Sequence, residues 1–329
     1  MVEALRDRPL PLPGMRPVGA SEVHANLPYD QLVESLRQMF RAGCTVPDRH
    51  HHTVPVGGGR DDATLLLMPA WEQGKHIGVK LVTVFPSNGE RGLPSVMGSY
   101  LLLDGETGAP RALIDGPALT LRRTAAASAL AAGYLARPDA ERLLVVGTGA
   151  LAPQLVEAHA QVRPIRNVLI WGRDPEKAAR LAHRLDRRGL KVGATEDLAG
   201  AVRGAHIITC ATLAKEPLIK GEWLPLGVHL DLVGGFTPEM READDDCISR
   251  ARVFVDTREG AAREAGDIVQ PLANGRLTLD DIAGDLIELS RGSRAGRRYY
   301  DQITLFKSVG TALEDLAAAK LLLDIIRHG

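Results

Sequence analysis

The chain has 329 residues, and about 150 residues per domain predicts roughly two domains. With 45% hydrophobic and 25% charged residues, its composition is that of a globular protein. The 40 Lys and Arg residues balance the 41 Asp and Glu residues, which argues against a dedicated nucleic-acid binder and against electrostatic recruitment to an anionic membrane.

The N-terminal segment Met1–Gly14 carries charges and prolines where a signal peptide has an apolar core. No later run approaches the ~18 consecutive apolar residues of a membrane span. The cysteines Cys44, Cys210 and Cys247 are far apart and form no CxxC pair, which argues against a disulfide framework and a structural zinc site. We therefore expect a cytoplasmic protein without a bound metal.

The first part of the chain combines a helix with a sheet. Apolar residues of Tyr29–Ala42 recur at helical spacing and predict an amphipathic helix. Four apolar segments follow, and turn residues separate the last two of them. These segments are Thr64–Met68, Ile77–Phe85, Val96–Leu103 and Pro110–Ile114. They predict a mainly antiparallel sheet that carries Lys80.

Strands and helices alternate after Leu121, which predicts a parallel sheet with both faces covered. An alanine-rich helix at Arg122–Ala136 comes before this alternation, and a leucine-rich helix at Thr311–Ile326 ends the chain. The predicted strands are Arg142–Val146, Asn167–Trp171, His206–Cys210, His229–Val233 and Arg252–Val255, and the helices lie near Leu151–Gln161 and Pro175–Arg187. The predicted fold class is α/β.

A glycine-rich turn follows the strand Arg142–Val146 and opens the next helix with the pattern GxGxxA. Gly147 permits a tight turn, and Gly149 lets the backbone approach a pyrophosphate at the helix N-terminus. Ala152 allows close packing of the helix on the strand. The strand, turn and helix together predict a dinucleotide site of the Rossmann type, the alternative being a glycine-rich turn of another α/β protein.

The end of the next strand bears on the choice of nucleotide. Arg173 comes first there and would pair with the 2′-phosphate of NADP, whereas Asp174 would bind a ribose hydroxyl of NAD. Arg173 favours NADP, unless it is a solvated charge and Asp174 only caps the helix that starts at Pro175. Cofactors of this fold cross the carboxyl ends of the strands, so Thr212 and Phe236 are further candidate contacts or ordinary loop residues.

Four cations of the first domain are candidates for binding an anionic substrate. Lys80 lies in an otherwise apolar strand, where a lysine usually has a partner. Arg122 and Arg123 begin the predicted alanine-rich helix, where a cation opposes the helix dipole unless an anion is bound beside it. Together with Arg49, these residues could hold a small carboxylate. Taken singly, each fits a surface charge or a structural ion pair.

The cluster His50–His52 is a poor metal motif, because neighbouring side chains on a strand point to opposite faces. A single histidine such as His51, giving a proton or a hydrogen bond to substrate, is the better interpretation. No GxSxG nucleophile elbow is present in the sequence, which argues against nucleophilic hydrolysis.

Several separate segments match one known family in the same order along the chain. They are Pro47–Arg49, Gly78–Lys80, Gly92–Val96, Leu121–Ser128, Val146–Ala150, Thr237–Glu242 and Phe306–Asp315. On these segments the chain resembles the ornithine cyclodeaminase/mu-crystallin family over essentially its whole length. The resemblance implies a homodimer, a Rossmann domain for the dinucleotide at residues 125–302, and an α+β substrate-binding and dimerisation domain at residues 1–124 with 303–329.

Taken residue by residue, the resemblance implies that Arg49 and Lys80 bind the substrate. It implies that Arg123 reaches both the substrate carboxylate and the cofactor. The further cofactor contacts that it implies are Ser95 on the nicotinamide side, Ala150 and Leu151 over the pyrophosphate, and Ser308 in the C-terminal segment.

One departure from the family pattern separates its activities. Cyclodeaminases of the family carry a catalytic Asp after the glycine pair, whereas here Phe236 follows Gly234 and Gly235. The resemblance therefore favours the branch that reduces Δ1-pyrroline-2-carboxylate to L-proline and Δ1-piperideine-2-carboxylate to L-pipecolate, with NADPH or else NADH. The alternatives are an ornithine or lysine cyclodeaminase, an alanine-type amino-acid dehydrogenase and a non-catalytic nucleotide-dependent binding protein.

Overall fold

The computed structural model describes residues 15–58 and 60–328. The chain forms two compact units, each with its own sheet. The first unit is Met1–Leu27, Cys44–Thr120 and Asp315–Gly329, and the second is Pro28–Gly43 and Leu121–Glu314. Residues 1–14, on which the prediction about a signal peptide depends, lie outside the described residues. In the described part of the chain, no helix combines the length and the apolar character needed to cross a membrane.

Among the described residues, the sheet of the first unit has six strands in the order β1-β6-β5-β4-β3-β2. The strands are β1 (Arg16–Val18), β2 (His50–Val54), β3 (Ala63–Glu72), β4 (His76–Val84), β5 (Val96–Asp104) and β6 (Pro110–Asp115). All neighbours are antiparallel except β1 and β6. The predicted antiparallel sheet is therefore confirmed, and its strands are joined by β1 and β2 at the edges.

The two faces of this sheet differ in burial. Lys80 is the register partner of Met68 on β3 and of Tyr100 on β5, and all three side chains are buried. The next residue of β4, Leu81, points to the opposite face and is 41% exposed. Asp315 of the C-terminal helix α11 (Ala312–His328) contacts Lys80, so this end of α11 lies on the buried face.

The sheet of the second unit has eight parallel strands in the order β13-β12-β14-β11-β10-β7-β8-β9. The strands are β7 (Arg142–Val146), β8 (Asn167–Trp171), β9 (Lys191–Ala194), β10 (Ile207–Cys210), β11 (His229–Leu232), β12 (Arg252–Val255), β13 (Ile282–Asp285) and β14 (Thr304–Lys307). The predicted parallel sheet is confirmed, and each strand that the sequence indicated is present within one residue of its expected ends.

The remaining helices complete both units. They are α1 (Ala20–Asn26), α2 (Tyr29–Ala42), α3 (Gly116–Leu135), α4 (Leu151–Val162), α5 (Pro175–Leu185), α6 (Leu198–Gly204), α7 (Asp245–Arg250), α8 (Arg258–Glu264), α9 (Gly266–Ala273) and α10 (Leu286–Arg291). From β7 to β14 an α-helix lies between successive strands, except between β10 and β11, where the connection contains only a short 3-10 helix at Gly221–Trp223.

Alternate residues of β7 enter two different apolar clusters of the second unit. Leu144 and Val146 belong to one cluster, whereas Leu143 and Val145 belong to the other. Because neighbouring side chains on a strand point to opposite faces, both faces of the sheet are covered. Full burial of each such side chain stabilises the fold by about 1.5–3 kcal/mol, which explains why the four residues after Arg142 in this strand are all apolar.

One predicted helix begins earlier than expected, and this corrects an argument about its arginines. α3 starts at Gly116 rather than at Arg122, because the Asp115 carboxylate accepts a hydrogen bond from the Ala118 N–H at 2.8 Å. Arg122 and Arg123 therefore lie inside the helix and not at its N-terminus. The predicted opposition between these arginines and the helix dipole does not arise, because that effect is confined to the terminal turn.

The boundaries of the two units differ from the predicted domain boundaries. β14 lies between β11 and β12 in the second sheet, although it falls in the segment 303–329 that was expected in the other domain. The helix α2 also belongs to the second unit. Neither assignment has a local sequence signal, because each depends on contacts with residues distant in the chain.

Candidate functional site

The glycine-rich turn has the geometry of a phosphate-binding turn. Gly147 has φ +126°, and a Cβ placed on it would lie 2.5 Å from the Ala211 carbonyl oxygen. A Cβ on Gly149 would meet no described atom within 4 Å, so the space above this residue is open. Ala152 is fully buried in the first turn of α4. The turn therefore fits a pyrophosphate at the N-terminus of α4.

A cavity of about 820 Å³ lies beside this turn, at the carboxyl ends of β7, β8 and β10. Its volume lies within the range of about 300–1,000 Å³ that small-molecule and cofactor sites occupy. Among the described residues that line it are Gly147, Gly149, Trp171, Arg173, Lys177 and Thr212. The cavity occupies the place where a doubly wound fold binds a dinucleotide.

Arg173 and Asp174 have different roles at this cavity. The Asp174 carboxylate accepts a hydrogen bond from the Lys177 N–H at 3.0 Å, so this acid caps α5. The Arg173 side chain is exposed and lines the cavity. Lys177 lines it as well, a second cation that sequence reasoning missed although it lies one turn into the predicted helix. The pair makes this rim of the cavity suited to a phosphate group.

Thr212 is tied to the loop after β11 through a buried acid, Glu242. One carboxylate oxygen of Glu242 accepts from the Thr212 N–H at 2.7 Å and from the Thr212 hydroxyl at 2.8 Å. The other oxygen accepts from the Gly234 N–H at 2.8 Å. In the sequence, Glu242 stands out only as the last residue of the family-like segment Thr237–Glu242. Its contacts with the loops at Thr212 and Gly234 have no local signature in the sequence.

Two further buried charges support Glu242. Asp267 accepts hydrogen bonds from the N–H groups of Glu242 and Ala243 at 2.8 and 3.0 Å. Its other oxygen lies 3.1 Å from Lys307 Nζ, and neither side chain is exposed to solvent. Burial raises the pKa of Glu242 to about 7, against the lowering effect of Lys307. This cluster of two acids and one lysine was not predicted.

Phe236 and Ser308 follow the strands β11 and β14, at the carboxyl edge of the sheet. Phe236 is 47% exposed, whereas Ser308 is buried and donates its N–H to the Leu232 carbonyl at 3.2 Å. Neither is among the described residues that line the cavity. A Cβ on Gly235 would lie 2.7 Å from Asp267 Oδ2, so the turn before Phe236 packs tightly on the buried acids.

Arg123 is held in the second unit by an acid and by a glycine turn. Its Nη1 donates to Glu314 Oε2 at 2.7 Å, and both side chains are buried. Gly310 has φ +84°, and a Cβ on it would collide with the Arg123 guanidinium. The Asp256 carboxylate accepts from the N–H groups of Val309 and Gly310 at 2.8 and 2.7 Å, which fixes the turn against the arginine.

Arg122 has structural partners in the second unit. Its guanidinium lies 3.7 Å from the centre of the Tyr29 ring, and Nη1 donates to Gln154 at 3.2 Å. Tyr29 also donates its hydroxyl to Gln154 at 2.8 Å. These contacts join α2, α3 and α4, so Arg122 is explained by packing, as the alternative interpretation of this cation had it.

In the first unit, Lys80 has the partner that the sequence led us to expect. Lys80 Nζ lies 3.2 Å from Asp315 Oδ1, and both side chains are buried. The Tyr100 ring lies over Gly78 on the same face of the sheet, where a Cβ would collide with its hydroxyl. A buried lysine beside a buried carboxylate is held in one orientation, which suits a group that must meet a substrate.

The other candidates of the first unit lie at its edge strand and loops. His51 is exposed on β2 and pairs in register with Leu66, which puts it on the same face of the sheet as Lys80. Arg49 directly precedes β2 and is half-buried. Ser95 directly precedes β5, and its carbonyl accepts from the Phe85 N–H at 2.8 Å.

Comparison with known proteins places the chain among enzymes that act on amino and imino acids. The family model described as "Ornithine cyclodeaminase/mu-crystallin family" matches residues 19–329. A Delta(1)-pyrroline-2-carboxylate reductase of Paracoccus denitrificans is 40% identical over 301 residues, which are 91% of this chain and 93% of the relative.

Solved structures of similar proteins carry dinucleotides. Thermococcus litoralis Delta(1)-pyrroline-2-carboxylate reductase, in complex with NADH and L-proline, has a TM-score of 0.87 and 33% identity, covering 96% of this chain and 98% of that chain. An archaeal alanine dehydrogenase dimer with bound NAD has a TM-score of 0.86 and 27% identity, covering 95% and 97%. These similarities confirm the predicted α/β fold class with a Rossmann-type sheet.

Proposed function

Because the chain belongs to the ornithine cyclodeaminase/mu-crystallin family, we propose that it reduces the C=N bond of small cyclic ketimines with NAD(P)H. This is the class of reaction named for its Paracoccus denitrificans and Thermococcus litoralis relatives. The substrates are Δ1-pyrroline-2-carboxylate and Δ1-piperideine-2-carboxylate, and the products are L-proline and L-pipecolate. The single observation that carries this choice within the family is Phe236, because a phenyl ring cannot serve as the acid that a cyclodeaminase needs at this place.

The substrate carboxylate is bound by Arg49, Lys80 and Arg123. Support comes from one buried ion pair in each unit, Lys80 with Asp315 in the first and Arg123 with Glu314 in the second, because each pair holds its cation in a fixed orientation. A guanidinium has five N–H donors, so Arg123 can bind Glu314 and a substrate carboxylate together. Fixing the carboxylate in this way orients the C=N carbon, and orientation supplies much of the rate of a reaction between two bound molecules.

The dinucleotide lies along the carboxyl edge of the second sheet. Gly147 and Gly149 let its pyrophosphate approach the first amides of α4, beside Ala150 and Leu151. Arg173 and Lys177 bind the 2′-phosphate, which makes NADPH the preferred nucleotide. The bound nicotinamide supplies a hydride. The remaining proposed contacts are Ser95, Arg123, Thr212, Phe236 and Ser308.

Reduction of the ring C=N bond needs a proton as well as a hydride. The hydride adds to the ring carbon that bears the carboxylate, and the proton ends on the ring nitrogen, which converts the imine into a secondary amine. Lys80 gives this proton, directly or through water, unless His51 does so from the same face of the sheet. The guanidinium groups of Arg49 and Arg123 must face the carboxylate end of the substrate, because they repel the protonated imine.

We also propose that two copies associate through the exposed face of the first sheet. This face carries apolar residues on four strands, where Leu67 pairs in register with Leu81 and Leu101 pairs with Leu113. Leu81 and Leu113 are 41% and 40% exposed in the single chain. An apolar surface of this kind on a globular protein is typical of an interface between subunits.

A cytoplasmic location is a further proposal. It rests on Cys44, Cys210 and Cys247, which are free thiols, as expected in a reducing compartment. Cell fractionation with an antibody to the chain tests it, since enrichment in a membrane or secreted fraction would contradict it.

Turnover assays separate the proposed reaction from its alternatives. Purified protein is mixed with NADPH and Δ1-pyrroline-2-carboxylate, and parallel reactions contain NADH, pyruvate with ammonia, or ornithine and lysine with NAD⁺. We expect fast nucleotide oxidation with the cyclic imine in the absence of ammonia, and slower oxidation with pyruvate and ammonia. Ammonia release from ornithine or lysine without imine reduction would overturn the proposal, and no turnover in any reaction would favour a binding protein.

A further inference from the structure

The Glu242 carboxylate binds backbone groups of two different loops. Three donors reach its two oxygens, namely the N–H and hydroxyl of Thr212 after β10 and the N–H of Gly234 after β11. The side chain is completely buried and is not among the described residues that line the dinucleotide cavity. Glu242 can therefore act on a bound cofactor only through the loops that it holds.

One of these loops forms part of the cavity wall. Thr212 lines the cavity, and its neighbour Ala211 packs against the phosphate-binding turn, where a Cβ on Gly147 would lie 2.5 Å from the Ala211 carbonyl. A Cβ on Gly234 would collide with the Thr212 backbone and with Glu242 itself. The Glu242 carboxylate is thus connected, through Thr212 and its neighbour Ala211, to the glycine-rich turn that would hold the pyrophosphate.

We propose that Glu242 is a positioning residue for the dinucleotide, whose ionised carboxylate keeps the loops at Thr212 and Gly234 in the shape that binds the cofactor. This inference rests on the proposed function, because it takes the cavity as the dinucleotide site. A carboxylate accepts hydrogen bonds from all three donors. A protonated carboxyl group turns one acceptor into a donor that faces N–H groups, so protonation loosens at least one loop.

The charges around Glu242 set the pH at which this change occurs. It faces Lys307 from β14, Asp267 from α9 and the thiol of Cys210 from β10. Burial and the negative charge of Asp267 raise the pKa of Glu242 to about 7, while Lys307 and the hydrogen bonds from Thr212 lower it. We therefore expect the affinity for the dinucleotide to fall as the pH falls through about 7.

Direct binding measurements test the proposal. The dissociation constant of NADH is measured by nucleotide fluorescence between about pH 6 and about pH 8.5, for the wild-type chain, Glu242→Gln and Glu239→Gln. NADH is used because the 2′-phosphate of NADPH titrates in the same range as Glu242. Gln keeps the size of Glu242 but places an NH2 group against the donors. Glu239 is an exposed acid of the same segment and serves as the control.

We expect wild-type affinity to weaken about tenfold toward low pH, the loss of one hydrogen bond to a charged group. Glu242→Gln should bind about tenfold more weakly at high pH and show no pH dependence, while Glu239→Gln follows the wild type. Should Glu242→Gln fail to fold, Glu242→Asp takes its place, because it keeps the charge but draws the carboxylate away from Thr212 and Gly234, and it should also bind more weakly at high pH. Wild-type affinity independent of pH would overturn the inference alone, whereas no NADH binding at any pH would overturn the proposed function with it.

Discussion

Arg123 donates from Nη1 to Glu314 Oε2 at 2.7 Å, and both side chains are buried. Gly310 lies against the same guanidinium, and Asp256 fixes Gly310 through its N–H. The arginine is therefore oriented by the protein before any substrate arrives. Such preorganisation is what a group that positions a substrate carboxylate needs, because the cost of ordering the side chain is met during folding.

Arg123→Lys tests whether the guanidinium itself is required. Lysine keeps the positive charge beside Glu314 but loses the planar fork that binds a carboxylate through two N–H groups. We expect kcat/KM for Δ1-pyrroline-2-carboxylate to fall by about 100-fold, which corresponds to about 2.7 kcal/mol. Steady-state oxidation of NADPH measures this change.

The matched control for Arg123→Lys is Arg180→Lys. Arg180 is exposed and pairs with Glu176 at 3.1 Å on the surface of α5, so its replacement should leave kcat/KM unchanged. Full activity of Arg123→Lys would show that Arg123 does not bind the substrate carboxylate and only stabilises the fold.

Arg173→Ala tests the assignment of the nucleotide. The exposed Arg173 side chain lines the cavity, while Asp174 is occupied as the cap of α5. Loss of one charged contact to the 2′-phosphate should lower kcat/KM for NADPH by about 10- to 100-fold and leave that for NADH nearly unchanged. Arg180→Ala, which replaces an exposed arginine of the neighbouring helix α5, should alter neither value. Equal losses with both nucleotides would refute the role of Arg173 in the choice between them.

Leu81→Glu tests the proposed association of two copies. Leu81 lies at the centre of the exposed apolar face, so a buried charge there would destabilise the interface. We expect light scattering after gel filtration to give the mass of one chain for Leu81→Glu and of two chains for the wild type. Leu279→Glu, an exposed leucine of the second unit, is the control. A wild-type chain that is monomeric would contradict the proposal.

His229 makes the stability of the second unit depend on pH. It is completely buried on β11, with Nδ1 3.0 Å from the Thr304 hydroxyl, and burial lowers its pKa from 6.5 to about 3. A lowered pKa means that the unfolded chain takes up a proton more readily, so stability is lost as the pH falls below 6.5. At about pH 5 the loss from this group is about 2 kcal/mol relative to neutral pH.

Urea denaturation at neutral pH and at about pH 5 measures this loss. His229→Gln removes the titrating group, so the free energy of unfolding should fall less between the two pH values. His183→Gln alters an exposed histidine of α5 and should keep the wild-type difference. An identical pH dependence in His229→Gln and the wild type would show that His229 is not the group responsible.

Local sequence patterns were sufficient to predict many of the helices and strands of the second unit. Tyr29–Ala42 was predicted to the residue because its buried positions recur at helical spacing. Arg142–Val146 and the glycine-rich turn were predicted because an apolar strand, a tight turn and a helix start follow one another directly. The strand Thr304–Lys307 was missed, since it is short and its last residue owes its burial to an ion pair with Asp267.

The candidate site likewise contains features that local sequence patterns reveal and features that depend on distant residues. The glycine-rich turn and the position of Arg173 beside the cavity could be predicted from sequence, because each is defined by its immediate neighbours. The role of Glu242 could not, because its donors on Thr212 and Gly234 come from separate loops. The packing role of Arg122 could not be predicted for the same reason, since its partners Tyr29 and Gln154 belong to other helices.

Isotope labelling of the cofactor follows the transferred hydride itself. NADPH carrying deuterium at the transferable position of the nicotinamide is mixed with the enzyme and Δ1-pyrroline-2-carboxylate, and the product is analysed by mass spectrometry and NMR. Both faces of the labelled nicotinamide are tested in separate reactions. We predict L-proline with one deuterium at the carbon that bears the carboxylate, from one of the two labelled forms. Proline without deuterium from either form, or no proline, would contradict reduction of the C=N bond by hydride transfer.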